Sequence, residues 1–190
     1  MVAALVVGAC NGGGSGRSHD TLPPPPETTV TTAFDFAVPA VIDAAYVEKV
    51  MAALDHVYGD AIRTLARERK LTQEFLDRLA AIYGDRFFRL AQDAWAQELS
   101  SGLSGVRPVP GDPRSTVTTV TVARADCIVA PAMRDFSAIR TSNPPPPPQR
   151  FIGLVPRADA RTALNPTGWV LAYDGWTESG EAPVEPCRGA

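Results

Sequence analysis

The stretch that decides the fold class runs Ser115-Thr116-Val117-Thr118-Thr119-Val120-Thr121-Val122. After its first residue every side chain is β-branched, and such side chains favour strands because they pack well on a pleated surface. Residues 39–101, which precede it, instead carry apolar side chains at steps of three and four, as amphipathic helices do. Helices followed by strands, without regular alternation of the two, predict an α+β domain.

The helical part of the chain predicts two to three helices before the sheet. Pro39 suits the first turn of the first helix, and the charged residues 67–70 mark its exit. Thr72 can cap the second helix with its hydroxyl. Gly84-Asp85 divides the apolar stripe that follows into two helices, and Gly102 ends the last one.

Three further strands are predicted after the β-branched stretch, over 127–136, 151–155 and 168–173. They are close enough in sequence for an antiparallel meander. We therefore expect the helices to pack on a curved four-stranded antiparallel sheet. Pro131 lies inside the second strand and predicts an edge position or a bulge there, because proline cannot donate to the ladder. The prolines of 144–148 predict a surface loop.

The N-terminus predicts export and lipidation. Residues 1–10 read as a partial signal peptide, and Val7-Gly8-Ala9-Cys10 resembles a bacterial lipobox, whose cysteine receives the lipid. No lysine or arginine precedes Cys10, so we expect the true start to lie upstream. Residues 11–34 then form a disordered Gly/Pro-rich tether to a single α+β domain over 35–190. The expected location is the extracytoplasmic face of the cell membrane; the alternative is a disordered cytoplasmic tail with a chance cysteine.

The other two cysteines predict a disulfide. Once Cys10 is assigned to the lipid, Cys127 and Cys187 remain as an even pair. A bridge between them would close a loop of about 60 residues and contribute about 4 kcal/mol of stability on the chain-entropy model. The alternative is two unrelated thiols. Neither cysteine belongs to a CxxC motif, which argues against a redox or zinc site.

Charge and motifs exclude several classes of function. The net charge is −3 with no basic patch, so we expect no nucleic-acid partner. His56 and Asp60 supply at most two metal ligands of the three that a site needs. No nucleophile motif or phosphate-binding glycine loop is present. We therefore predict no catalytic residue, no metal and no cofactor.

The order of a long helix, shorter helices and a curved antiparallel sheet resembles the NTF2-like (cystatin-like) fold. The composition also resembles a group of uncharacterised actinobacterial envelope proteins, over roughly residues 35–189. The segments that carry the resemblance are Leu71-Thr72, Tyr83, Phe87, Asp126-Cys127, Arg134-Asp135-Phe136, the proline loop, Asn165-Pro166-Thr167-Gly168-Trp169, Asp174-Gly175-Trp176 and Pro186-Cys187. The resemblance implies an accessory domain of an envelope or secretion system and transfers no active residue. NTF2-like enzymes place an Asp or His inside the cone between helix and sheet, a role open here to Asp135 or Asp174.

Aromatic side chains are the better indication of a binding site. If helix and sheet face each other, several of them form an apolar cleft: Tyr83, Phe87, Trp95, Trp169, Tyr173 and Trp176. The alternative is a core rich in aromatic residues. Phe87 and Phe88 diverge by about 100° around a helix, so we expect one of them to be exposed as a contact patch.

Three functions follow from these features. The leading hypothesis is a non-enzymatic, membrane-anchored accessory domain that docks with an envelope protein through a patch around Phe88 or Trp176. The alternative is a carrier for a small apolar ligand or lipid, in a cavity between Trp95 and the last strand. The third is an enzyme that uses Asp135 or Asp174.

Overall fold

The computed structural model describes residues 36–142, 150–157, 163–175 and Cys187. Within these ranges the chain forms one compact unit of three helices followed by five strands, which confirms the α+β class. The helices are α1 (Ala44–Glu68), α2 (Gln73–Ile82) and α3 (Asp85–Ser100). The strands are β1 (Arg114–Val117), β2 (Val122–Arg124), β3 (Cys127–Asp135), β4 (Arg150–Pro156) and β5 (Trp169–Gly175). None of these helices has the length and apolar character needed to cross a bilayer.

Capping residues set where the helices begin. The expectation that Pro39 lies in the first turn of α1 is wrong, because Asp43 caps the helix by accepting a hydrogen bond from the Tyr46 amide at 2.8 Å. The predicted cap of α2 is confirmed, since the Thr72 hydroxyl accepts from the Phe75 amide at 3.2 Å. Gly84 is the N-cap of α3 and separates it from α2, as predicted.

The strands form an antiparallel sheet in the order β1-β3-β4-β5, and β2 also pairs with β3. The single strand predicted over 115–122 is therefore two strands, so the sheet has five strands where four were expected. Residues 118–120 leave the ladder between the pairs Val117↔Ala132 and Val122↔Val129, and the Thr121 amide rejoins it by donating to the Val129 carbonyl at 2.7 Å. Pro131 lies opposite this break and has no N–H to donate. The proline is thus inside the sheet, not at an edge, and the irregularity falls in the neighbouring strand.

The main core lies between the helices and one face of the sheet. Helix α1 packs against α2 and β1, and α3 packs against α2 and β5. Burying large apolar side chains here is the dominant favourable contribution to folding. The largest fully buried residues are Trp169, Phe75, Met51, Leu54, Ile62, Leu65, Leu79, Ile82, Ile128, Ile139, Ile152 and Leu154.

A shift of register interrupts the pairing of β5 with β4. Leu171 pairs with Leu154, but the next pair is Tyr173↔Gly153. Ala172 is therefore an extra residue on β5. Such a bulge reverses which side chains point to each face of a strand.

The reversal brings a carboxylate into the interior. Residues paired across antiparallel strands share a face, and Asp174 pairs with the core residue Ile152. Asp174 therefore faces the helices, with its side chain only 8% exposed. Tyr173 belongs to the opposite face, where it packs with Val129 and Phe151.

That opposite face of the sheet is also apolar, and the predicted cysteine pair lies on it. Cys127 is buried beside Val129 and Phe151, and Cys187 packs against this cluster and against a second one formed by Val155 and Val170. The two cysteines are placed as a disulfide, with a Cα–Cα distance of 5.8 Å. This agrees with the predicted bridge. The predicted lipobox, tether and proline loop lie outside the described residues.

Candidate functional site

A cavity of about 230 Å³ opens between α3 and the ends of β4 and β5. One wall is aromatic and the other is charged. The aromatic residues are Tyr58, Tyr83, Phe87 and Trp95; the charged residues are Arg140, Arg150 and Asp174. Leu90, Ala91 and Ala94 of α3 complete the lining.

The aromatic wall is centred on Tyr58. This residue belongs to the apolar stripe of α1, so its side chain points into the core. Its ring centroid lies 6.3 Å from that of Tyr83, 6.2 Å from that of Trp95 and 6.1 Å from that of Phe136. Tilted and edge-to-face rings at such distances attract each other beyond the effect of burial alone. These contacts join three chain segments on one side of the cavity: Tyr58 in α1, the residues from Tyr83 to Trp95, and Phe136 just after β3.

The junction of α2 and α3 is joined directly to the last strand. Tyr83 forms a parallel bridge with Leu171, and the Gly84 amide donates to the Leu171 carbonyl at 3.0 Å. Phe87, in the first turn of α3, packs edge-on against Tyr173 with ring centroids 6.0 Å apart. These contacts hold the first turn of α3 against β5 at one end of the cavity.

Buried charges lie beneath the cavity. The Arg134 guanidinium donates through Nη1 to Asp174, through Nη2 to Asp55 and through Nε to the Ser115 hydroxyl. Only 1% of the Arg134 side chain is exposed. Arg150 Nε also lies 2.9 Å from Asp174 Oδ1. Asp174 therefore lies between two guanidinium groups: it accepts a hydrogen bond from Arg134, and it is ion-paired with Arg150 without hydrogen-bond geometry at that Nε.

The pKa values reflect competition between burial and charge pairing. Burial alone would lower the pKa of Arg134, but Asp174 and Asp55 raise it well above its usual value. Burial raises the pKa of Asp55, and Arg134 and the Ser115 hydroxyl only partly oppose it. Burial also raises the pKa of Tyr58 to about 12 and raises that of Tyr83. Both phenols are therefore protonated at neutral pH and can donate hydrogen bonds.

The residues of the predicted cleft are not all in one place. Tyr83, Phe87 and Trp95 line the cavity. Trp169 lies in the main core instead, where its Nε1 donates to the Tyr46 hydroxyl at 2.9 Å. Tyr173 does not line the cavity, since the bulge turns it to the other face of the sheet, but its ring contacts Phe87, which does. Trp176, like Cys10, lies outside the described residues.

The two candidate carboxylates have different surroundings. Asp135 is exposed, and hydrogen bonds from the backbone amide (2.8 Å) and hydroxyl (3.0 Å) of Ser137 lower its pKa. It is a strand-end residue and takes no part in the cavity. Asp174 lines the cavity, although the Asp174-Gly175 pair reads from sequence as a turn at the end of a strand.

His56 takes part in a surface charge cluster. Its Nδ1 lies 2.9 Å from Asp112 Oδ2, and its Nε2 lies 3.8 Å from Asp60 Oδ2. Among the described residues, no group of three or more His, Cys, Asp or Glu could hold a metal ion. The helix histidine therefore joins α1 to the segment before β1.

Sequence reasoning missed the buried charges, although their positions carried a signal. Asp55 falls within the apolar stripe of α1, four residues after Met51 and three before Tyr58. Arg134 follows Ala130 and Ala132 at steps of two, on the inward face of β3. A charged residue at a core-facing position of each element predicts that the two meet, because an unpaired buried charge is too costly.

No protein-family model, no curated protein and no solved structure matches this chain. The function is therefore inferred from the cavity's own residues.

Proposed function

We propose that this domain binds a small ligand in the cavity and does not transform it. The observation that carries the proposal is the placement of Asp174, a buried carboxylate held by Arg134 and Arg150 at the charged end of a cavity with aromatic walls. Ligand sites in proteins are typically concave and apolar, with a few fixed polar groups that orient the ligand.

The size of the cavity favours a compact ligand. Its 230 Å³ is below the roughly 300–1,000 Å³ of sites for drug-sized molecules. One water molecule occupies about 30 Å³ of liquid volume, so the cavity suits a single ring or a short chain. Of the two kinds of ligand that the carrier hypothesis allows, a small ligand fits better than a whole lipid.

Binding without turnover follows from how the ionisable groups are engaged. A general base needs an accessible lone pair and a pKa near the working pH. The oxygens of Asp174 lie against Arg134 and Arg150, and Tyr58 stays protonated to about pH 12. These groups are suited to orienting a ligand and poorly suited to removing a proton from it.

Native mass spectrometry of protein purified from its own cells tests this proposal, alongside ligand-observed NMR with a library of single-ring compounds. Ala94→Phe places a ring in the cavity lining, and Ala96→Phe makes the same change at an exposed position of α3 outside it. We expect the wild type and Ala96→Phe to bind the same compounds and Ala94→Phe to lose them. Binding that survives Ala94→Phe unchanged would place the ligand elsewhere.

The setting we propose is an NTF2-like domain held on the extracytoplasmic face of the membrane by lipid on Cys10. The Cys127–Cys187 disulfide supports export, because disulfides persist mainly in oxidising compartments. Cys10→Ala should release the protein from the membrane fraction of its own cells. Unchanged partitioning would refute the anchor.

The docking of an envelope protein stays a prediction. The expectation that Phe87 or Phe88 is exposed is wrong, because both are half-buried and pack against the main core. The apolar stripe of a helix is wide enough for neighbours about 100° apart. Capture of the same partner from detergent-solubilised membranes by wild type but not by Trp176→Ala would support docking; capture that Trp176→Ala leaves unchanged would place it elsewhere.

A further inference from the structure

The charged side chains around the cavity indicate which kind of ligand it accepts. Two guanidinium groups, those of Arg140 and Arg150, line it against one carboxylate, that of Asp174. Arg134 contacts the same carboxylate from beneath. Within the lining itself, two arginines therefore stand against one carboxylate. Glu98, outside the lining, pairs with Arg140 through one amino group and balances its charge, so the lining offers a ligand the remaining guanidinium donors of Arg140.

Arg140 is the cation best placed to contact a ligand. Its guanidinium carbon lies 5.0 Å from the centroid of the Trp95 ring. One of its amino groups, Nη1, donates to Glu98 Oε2 at 2.8 Å. Arginine has five N–H donors in a planar fork, and 35% of this side chain is exposed. The ion pair and the stacking fix the guanidinium while leaving part of it at the cavity surface.

The groups that support Arg140 are themselves hydrogen-bonded. Its backbone amide donates to the Phe136 carbonyl at 2.9 Å, and the residue forms an isolated bridge with Val106. Glu98 Oε1 also accepts from the Gly105 amide at 3.3 Å. A preorganised cation loses little freedom on binding, which favours affinity.

A cationic ligand is the competing possibility, because aromatic walls attract quaternary ammonium groups. In such a site the nearby carboxylate would have to face the ligand. Here Asp174 is paired with Arg134 and Arg150, and Arg140 stands on the same lining. Bringing a cation against these arginines would add like-charge repulsion in a partly buried place.

We propose that the cavity takes a planar ring that bears a carboxylate, with the carboxylate on Arg140 and the ring against Trp95 and Phe87. This inference rests on the proposed function. Arginine recognises carboxylates through parallel hydrogen bonds, and the aromatic side chains provide the apolar surface that a ring needs.

Three probes with the same ring test the inference by calorimetry on the full chain: benzoate, the neutral benzamide and the cationic benzamidine. We expect benzoate to bind about tenfold or more tightly than benzamide, since a hydrogen bond to a charged group is worth about 1.5–3 kcal/mol. Benzamidine should bind least. Arg140→Gln should remove the preference for benzoate, so that benzoate and benzamide bind with similar affinity.

Arg107→Gln is the matched control, because Arg107 is exposed, contacts the Ser137 carbonyl and does not line the cavity. It should bind all probes as the wild type does. Equal binding of benzoate and benzamide would overturn the inference and leave the cavity's function standing. Tighter binding of benzamidine would overturn it in favour of a cation site. Failure of all three probes would count against the proposed function itself.

Discussion

Arg134 on β3 and Asp174 on β5 form an ion pair across the intervening strand β4, with 1% and 8% of their side chains exposed. Asp55 of α1 binds the same guanidinium, so one buried cation joins the sheet to the long helix. Buried pairs of this kind are not strongly stabilising in themselves, because desolvation offsets their attraction. Removing one partner is costly, however, since the other charge is left buried without compensation.

Arg134→Met is therefore expected to lower the free energy of unfolding by about 3–5 kcal/mol. Two buried carboxylates would lose the cation that they share. Urea denaturation followed by circular dichroism measures the change. Arg124→Met is the control: its pair with Asp126 is exposed, so the loss should stay under about 1 kcal/mol.

A triple variant separates charge from packing at the same place. Adding Asp55→Asn and Asp174→Asn to Arg134→Met removes the uncompensated charges and should recover part of the lost stability. If Arg134→Met costs no more than the Arg124 control, the buried network is not what joins α1 to the sheet.

The contribution of Asp55 to the stability of the protein is expected to grow as the pH falls. Burial raises its pKa above the reference value of 3.8, so the native state binds a proton before the unfolded state does as the pH falls. Its contribution to stability is thus full below pH 3.8 and is lost as the pH rises through the native pKa. The melting temperature of the wild type relative to Asp55→Asn should therefore increase as the pH is lowered through that window.

Asp135 gives the opposite sign and serves as the control. Hydrogen bonds from Ser137 lower its pKa, so its contribution is present above pH 3.8 and disappears as the pH falls through the native pKa. NMR titration of the carboxyl carbons measures both groups directly. A measured pKa below 3.8 for the Asp55 carboxyl would contradict the predicted rise.

The α+β class could be predicted from the sequence because the spacings of apolar residues that define helices and strands are local features. The cap at Thr72 was equally readable, since one side chain and the next turn decide it. The break in the predicted 115–122 strand was not, because it lies opposite Pro131 on a partner strand that the local pattern does not contain.

The site was less predictable than the fold for a related reason. Simple alternation places Trp169, Leu171 and Tyr173 on one face of β5, and a single extra residue at Ala172 puts Asp174 there in place of the tyrosine. No local preference of Ala172 marks a bulge. Asp55 and Arg134 could have been found by asking which charged residues stand at core-facing positions.

Reduction of the disulfide should lower the free energy of unfolding by about 4 kcal/mol on the chain-entropy model. The bridge joins residues 60 apart in sequence, and opening it restores the freedom of that loop in the unfolded chain. Thermal melts with and without reductant measure the effect. The Cys187→Ala variant should melt at the temperature of the reduced wild type and should be insensitive to reductant. A non-reducing peptide map that lacks the linked Cys127 and Cys187 peptides would refute the disulfide.

The substitution Gly59→Ala sets the higher helix propensity of alanine against a steric clash with a neighbouring segment. Alanine in mid-helix is normally favoured over glycine by about 1 kcal/mol. A Cβ on Gly59, however, would lie 2.0 Å from Oδ1 of Asp112. Moving that carboxylate would disturb its contacts with His56 and Arg63 at 2.9 and 2.8 Å, and the backbone Cα of Asp112 would also lie 3.0 Å from the new Cβ. We therefore expect Gly59→Ala to destabilise the protein by about 1–3 kcal/mol, as overpacking does.

A double-mutant cycle with Asp112→Ala isolates this contact. Truncating Asp112 removes the carboxylate that the new methyl group would meet, although the Asp112 Cα remains 3.0 Å away. The cost of Gly59→Ala should therefore shrink in that background, with a coupling energy of about 0.5–3 kcal/mol. If Gly59→Ala instead stabilises the otherwise wild-type chain, helix propensity prevails and the segment around Asp112 does not pack against α1 as described.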